Sequence, residues 1–261
     1  MSLPKADKTF GQHFLQSDKI INSIINDFNN PPSAIIEIGP GPGILTKGLW
    51  KHNIPMVVIE KDFRFRELLA NIIPPSRTIF QDALEVDFNE IFATYFSLEQ
   101  LENIWLVSNL PYNVSAPLTL KFLQLTHIKR MTLMYQKEVG EKILGQEINN
   151  SLHMLCSSFF DFTQLCKVPP GAFSPPPKVD SIVLSAQRKE APLLSIEHYD
   201  RFEKFLRNIF KMRRKQLGKV LKQSYPPILI EQIENNLGID KTIRAEKLTP
   251  QQVFAIFQLI K

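Results

Sequence analysis

Ala34-Ile35-Ile36-Glu37-Ile38-Gly39-Pro40-Gly41-Pro42-Gly43 is an apolar run of strand length that ends in a glycine-rich segment. A helical pattern takes over from about Ile44 to Lys51. Strand, tight turn and helix in that order form the first unit of an open α/β sheet. Glycine at the turn lets a ligand lie against bare backbone, and the helix N-terminus favours a negative group. The spacing is Gly-x-Gly-x-Gly, not the pyrophosphate-binding Gly-x-Gly-x-x-Gly, and neither Pro40 nor Pro42 has an N–H to offer a phosphate. This weighs against NAD and towards a ligand without a diphosphate. Taken alone, the segment suits a nucleotide site and a plain tight turn equally well.

The pattern repeats outward in both directions. Upstream, Ser17 to Phe28 places Ile20, Ile21, Ile24, Ile25 and Phe28 on one helical face, with Ser17 as a cap. Downstream come a strand at Met56–Ile59 ending in Glu60, a helix over Phe63–Asn71 and a strand at Thr78–Phe80 ending near Asp82. A strand at Ile104–Val107, a helix through Leu118–Leu125, a strand at Met131–Tyr135 and a helix near Glu138–Leu144 follow. Two β runs, Phe159–Lys167 and Ser181–Arg188, flank a rigid proline loop, Val168 to Pro177. Beyond Lys189–Ser195 the apolar spacing is helical to the end. The expected architecture is a Rossmann-like doubly wound α/β sheet (residues 1–190) with a small all-α C-terminal domain (191–261).

Acids stand at successive strand tips. Glu60 can accept both hydroxyls of a ribose, and Asp82 the amino group of an adenine. With the glycine turn they outline a pocket for an adenosine bearing a carboxylate tail, which is S-adenosylmethionine. The strand at Ile104–Val107 delivers Asn109-Leu110-Pro111-Tyr112 to the same edge. There the Asn109 amide oxygen and a backbone carbonyl, at Leu110 or Pro111, can accept both hydrogens of one exocyclic amine. Tyr112 can stack on the base that carries it, and Phe173 is the candidate for the opposite face. The chemistry this suits is alkylation of a base amino group, with no metal and no strong general base.

Charge sorts along the chain. Of 31 Lys and Arg and 26 Asp and Glu in 261 residues, 15 and 8 lie from Ala186 onward, so the basic excess is C-terminal. Lys204, Arg207, Lys211, Arg213, Arg214, Lys215, Lys219 and Lys222 fall in one stretch without an acid, opposite a stripe of Phe205, Leu206, Ile209, Phe210, Leu217, Val220 and Leu221. A solvated face usually mixes signs, so this basic helix reads as a phosphate-binding surface. The segment Met1–Gln16 lacks the apolar core of a signal peptide, and no apolar run approaches a membrane span. Cys156 and Cys166 lack metal-ligand spacing and read as free thiols of a cytoplasmic protein.

These motifs together resemble the ribosomal RNA adenine dimethyltransferases, of the bacterial KsgA type. The likeness runs from Phe10-Gly11-Gln12-His13-Phe14-Leu15 through Glu37-Ile38-Gly39-Pro40-Gly41, Asn109-Leu110-Pro111-Tyr112-Asn113-Val114-Ser115 and Gln136-Lys137-Glu138-Val139. It continues to Phe173-Ser174-Pro175-Pro176-Pro177-Lys178-Val179-Asp180-Ser181 and Arg213-Arg214-Lys215. The resemblance implies cofactor contacts at His13, Leu15, Gly39, Glu60, Asp82 and Asn109. It also implies dimethylation of two adjacent adenines near the 3′ end of 16S rRNA by a monomer, with S-adenosylhomocysteine as product. One departure stands out: where relatives carry Tyr-Gly-Arg-Leu-Ser, this chain has Asn149-Asn150-Ser151-Leu152-His153. The competing readings are a macrolide-resistance methyltransferase acting on large-subunit rRNA, a DNA adenine methyltransferase, and a ribosome-assembly factor for which methylation is secondary.

Overall fold

Strands buried on both faces of a parallel sheet are continuous apolar runs, because helices cover each face. The computed structural model, which describes residues 4–7, 11–146 and 148–260, has nine strands. They are β1 (Phe14–Leu15), β2 (Ala34–Ile38), β3 (Met56–Glu60), β4 (Thr78–Phe80) and β5 (Ile104–Asn109), followed by β6 (Ile128–Gln136), β7 (Phe160–Val168), β8 (Phe173–Ser174) and β9 (Ser181–Arg188). Seven form one sheet in the order β4-β3-β2-β5-β6-β9-β7. The first five run parallel, and β9 lies antiparallel to β6.

The order reverses between β2 and β5, and ligands of open α/β sheets bind beyond the carboxyl ends of the strands at such a point. Register makes those ends level: Ile38 pairs with Ile59 and Ser108, and Glu60 with Phe80. Glu60 and Asn109 therefore stand at the same level on either side of β2, at one edge. Below it, Ile35, Ile36, Val57, Val58, Leu106 and Val107 are fully enclosed. Each such side chain contributes about 1.5–3 kcal/mol of transfer free energy. Trp105 is enclosed too, and its indole N–H donates to Thr132 Oγ1 at 2.8 Å, so its own polar group is not stranded in the core.

The proline loop departs from the sequence reading. Phe173 and Ser174 form β8, which pairs antiparallel with β1 through Leu15↔Phe173 and Phe14↔Ser174. This ribbon fastens the N-terminal motif beside the sheet. A short helix, Phe88–Tyr95, adds to the elements expected from the sequence; Phe88, Ile91 and Phe92 share its buried face, and Asp87 caps it by accepting from Asn89 N.

The chain divides into two compact units. One runs up to Gly140 and resumes over Thr163–Gln187; the other comprises Glu141–Phe162 and everything from Arg188 on. The second is helical: Ser151–Phe159, Tyr199–Lys211, Leu217–Leu221, Pro227–Leu237 and Pro250–Gln258. Phe257 joins its core, 5.0 Å from the Phe202 ring and 5.6 Å from that of Phe205. The departure at 149–153 has a local role here. Asn150 caps the Ser151–Phe159 helix by accepting from His153 N, and Asn149 Nδ2 donates to Leu248 O at 2.8 Å. Among the described residues no helix is long and apolar enough to cross a membrane.

Candidate active site

The pocket opens at the carboxyl edge of the sheet. His13, Leu15, Gly39, Glu60, Asp82, Asn109, Leu110, Pro111 and Tyr112 all line it. Gly39 has φ +66°, and a Cβ there would meet nothing within 4 Å, so its bare backbone faces open space. Phe10, the first residue of the N-terminal motif, lies outside the described residues.

Glu60 sits at the end of β3, 5% exposed. Its Oε2 accepts from Gly41 N at 2.8 Å and its Oε1 from Asp62 N at 2.7 Å. Those bonds fix the carboxylate against the glycine turn and leave further lone pairs for donors in the pocket. Burial pushes its pKa upward, against the pull of the two N–H groups. Asp82 is held from two sides: Oδ2 accepts from Lys61 Nζ at 2.6 Å and Oδ1 from Leu84 N at 2.9 Å. Burial opposes ionisation there too, but these donors keep Asp82 below the usual carboxylate range.

Asn109 ends β5 with its amide oriented. Nδ2 donates to the His13 carbonyl at 3.1 Å, while Oδ1 has no partner among the described residues. The next carbonyls differ. Pro111 O accepts from Val114 N at 3.1 Å, whereas Leu110 O takes no backbone hydrogen bond among the described residues. Of the two carbonyls the sequence left open, Leu110 is the uncommitted one. Tyr112 is half-buried, its hydroxyl 2.6 Å from Ser181 Oγ. The His13 ring stacks on it at 5.5 Å between centroids, and His13 Nδ1 donates to Pro175 O.

Phe173 is placed differently from the expectation that it grips the base opposite Tyr112. It is 4% exposed, belongs to the hydrophobic core and does not line the pocket; its ring meets His13 edge-on at 6.5 Å. Pairing of β8 with β1 fixes it there.

Three features escape the sequence reading. Glu37 lines the pocket at 1% exposure with Oε2 unpartnered, and burial pushes it up to about 8. An acid inside an otherwise apolar strand was the available signal. Gln12 Nε2 donates to Asp62 Oδ2 at 2.7 Å, and Arg64 clasps the same carboxylate, holding it below the usual range. Lys121 donates to three carbonyls of the turn after Asp82. A buried acid with one unpartnered oxygen, bare glycine backbone and two anchored carboxylates around one cavity fit an adenosine bearing an amino-acid tail, such as S-adenosylmethionine.

The basic stretch is not one helix. It breaks over 212–216 between Tyr199–Lys211 and Leu217–Leu221. There Leu217 N donates to Ile243 O at 2.7 Å, Gly218 N to Lys241 O at 2.9 Å, and Gln216 bridges to Arg244. These backbone bonds outweigh the helical pattern. Lys211, Arg213, Arg214, Lys215 and Lys219 line adjoining clefts that also include Arg244, which the sequence reading omitted. Lys204, Arg207 and Lys222 stay outside them, and Arg207 is paired with Glu203 at 2.7 Å.

A family model described as ribosomal RNA adenine dimethylase matches residues 4–261. A Clostridium perfringens protein named ribosomal RNA small subunit methyltransferase A is 35% identical over 263 residues, covering 97% of this chain and 90% of its own length. One of the same name from Mycoplasmoides gallisepticum is 34% identical over 257 residues, covering 96% and 91%. Among solved structures, a dimethyladenosine transferase from Plasmodium falciparum has a TM-score of 0.78 at 23% identity, covering 95% of this chain and 97% of that one. The 23S rRNA methyltransferase ErmE has a TM-score of 0.71 at 22% identity, covering 94% and 98%. The structural likenesses speak for a shared Rossmann-like methyltransferase fold; the match over nearly the whole chain and relatives above 30% identity go further, and by them the chain belongs to the ribosomal RNA adenine dimethylase family.

Proposed function

We propose that this protein transfers methyl groups from S-adenosylmethionine to the exocyclic amines of two adjacent adenines near the 3′ end of 16S rRNA, releasing S-adenosylhomocysteine. It acts as a cytoplasmic monomer on the small ribosomal subunit or its precursor. One observation carries the reading: Asn109 has its amide nitrogen occupied by His13 O, while among the described residues its oxygen has no partner and the Leu110 carbonyl beside it is uncommitted. Relatives named as small-subunit methyltransferases support the choice of substrate.

Glu60 and Asp82 would hold the ribose hydroxyls and adenine amine of the cofactor, with the Gly39 turn against its tail. When bound, S-adenosylmethionine supplies a methyl on a sulfonium, a good leaving group. The adenine amine is a poor nucleophile because its lone pair is delocalised into the ring. Asn109 Oδ1 and Leu110 O, accepting its two hydrogens, favour a pyramidal nitrogen whose lone pair is free to attack. Orientation of this kind removes much of the barrier in proximity-driven reactions. Tyr112, anchored by Ser181 and backed by His13, stacks on the extruded base. Its hydroxyl is desolvated, which pushes its pKa upward, so it is no base at neutral pH. The product's extra proton passes to water.

Lys211, Arg213, Arg214, Lys215, Lys219 and Arg244 bind RNA phosphates, with Lys204, Arg207 and Lys222 as peripheral charges. Such contacts position the substrate without reading its sequence. The test is incubation with labelled cofactor and either unmethylated small subunits or large-subunit rRNA, followed by mapping of the modified base. Label on adjacent small-subunit adenines is expected; label on large-subunit rRNA alone overturns the proposal.

A further inference from the structure

We propose that Lys121 is a positioning residue that shapes the Asp82 turn to recognise the purine end of the cofactor. The inference rests on the reading of Asp82 as acceptor for an adenine amino group.

Lys121 belongs to the Ser115–Leu123 helix, and its Nζ donates to Ala83 O, Leu84 O and Val86 O at 3.1, 2.8 and 2.7 Å. The Phe88 ring lies 5.2 Å from the same nitrogen. An ammonium has three protons, and these bonds use all of them. The carbonyls of Ala83, Leu84 and Val86 share one cation; without it they would present like dipoles to one another in a partly desolvated space.

The N–H groups of the same turn point the other way. Leu84 N donates to Asp82 Oδ1 at 2.9 Å, and Glu85 N and Val86 N to Asp82 O at 2.9 and 3.0 Å. The turn is therefore held between Asp82, through its carboxylate and its backbone carbonyl, and the Lys121 ammonium. Its carboxylate side faces the pocket, which Asp82 and Ala83 line; Lys121 does not line it. Burial lowers the Lys121 pKa, and the charges of Asp82 and Asp87 oppose that fall.

Lys61 also binds Asp82, but its side chain is 57% exposed and water can replace it. Lys121 is less exposed, and its nitrogen is fixed by three backbone carbonyls at once. The same helix also reaches the Asn109–Tyr112 turn, for Ser115 Oγ donates to Tyr112 O at 3.1 Å and Leu118 lines the pocket. Lys121 thus fixes the purine-recognition turn relative to the helix that supports the reacting end.

The test compares S-adenosylhomocysteine with its inosine counterpart, which carries an oxygen in place of the 6-amino group. Calorimetric affinities are measured for the wild type, Lys121→Met, Asp82→Asn and the double variant. A lost hydrogen bond to a charged group should give the wild type roughly a tenfold or greater preference for the adenosyl ligand. Lys121→Met is expected to shrink that preference to about twofold, with inosyl affinity nearly unchanged and no further loss on adding Asp82→Asn. Equal weakening of both ligands, or no change, overturns the inference. A wild type that binds both ligands equally rejects the Asp82 reading itself, and the inference falls with it. Should circular dichroism show Lys121→Met unfolded, Lys121→Gln, which retains a donor, is read by the same ratio.

Discussion

The strand-tip pocket and the basic clefts handle polar atoms in opposite ways. At the pocket, Glu60, Asp62 and Asp82 are each bound by two or more donors, and the Asn109 nitrogen and Tyr112 hydroxyl are each held. At the clefts, Lys211, Arg213, Arg214, Lys215, Lys219 and Arg244 are exposed and form no ion pair among the described residues. Chemistry that depends on the direction of a lone pair needs acceptors that are already fixed. Attraction of a polyanion needs only unpaired charge within a Debye length, about 8–10 Å in physiological salt. Disturbing the first region should therefore cost rate, and disturbing the second should cost affinity in a salt-dependent way.

The largest effect belongs to Asn109→Ala. Loss of one preorganised partner at the reacting atom should lower kcat by about 10²–10³. Labelled methyl incorporation into unmethylated small subunits measures it, with RNA affinity unchanged. Turnover within tenfold of wild type would break the contrast, because the pocket would then not rely on fixed acceptors.

Glu37 sharpens the same side. Buried without a partner for Oε2, it is pushed from an ordinary 4.5 up to about 8. The folded chain then holds this proton more tightly than the unfolded chain does. Its contribution to stability is fully present below about 4.5 and is lost as pH rises towards 8, at up to about 1.4 kcal/mol per pH unit. Urea denaturation of ligand-free protein at several pH values should show Glu37→Gln gaining on the wild type as pH rises. Parallel curves would mean that the carboxyl ionises freely in the fold.

Charge reversal at Arg213 and Arg214 probes the other region. RNA affinity should fall about 10–100-fold at moderate salt, and the slope of log K against log salt should flatten by about two. Cofactor affinity, measured by calorimetry, should stay as it was. A loss of affinity with an unaltered slope would mean that these arginines act through shape.

The two regions also differ in how far the sequence exposes them. Strands β2, β3 and β5 are legible because double-sided burial leaves continuous apolar runs, and their polar tips, Glu60 and Asn109, follow from where those runs stop. The Phe88–Tyr95 helix leaves a fainter trace, since its eight residues give a single helical repeat, Phe88, Ile91 and Phe92, behind the Asp87 cap. Lys121 is invisible for another reason: its partners are backbone carbonyls, which leave no trace in side-chain spacing. Phe173 carries a genuine motif signal, but only the β1–β8 pairing reveals that its ring is enclosed. Long-range backbone bonds likewise hide the break at 212–216 and the arrival of Arg244.

The smallest effect tests whether the clefts are a charge cloud or a shape. Gly218 is the second residue of the helix after the break, where an added Cβ would lie 3.0 Å from Lys241 Cβ and 3.2 Å from Lys241 O. That oxygen accepts the Gly218 N–H at 2.9 Å, so it cannot retreat without lengthening its bond. Alanine in a helix gains up to about 1 kcal/mol over glycine, and the clash should exceed this gain by about 0.5–1 kcal/mol, in the range of mild overpacking. Chemical denaturation reads the difference. Gly218→Ala removes no charge, yet it should move the 216–219 segment away from 241–244 and so separate Lys219 from Arg244. If geometry matters, RNA affinity falls a few-fold while the salt slope stays constant, the reverse of the signature of the arginine reversal. If affinity is unchanged despite the lost stability, the clefts act by charge alone, and the contrast with the pocket becomes sharper still.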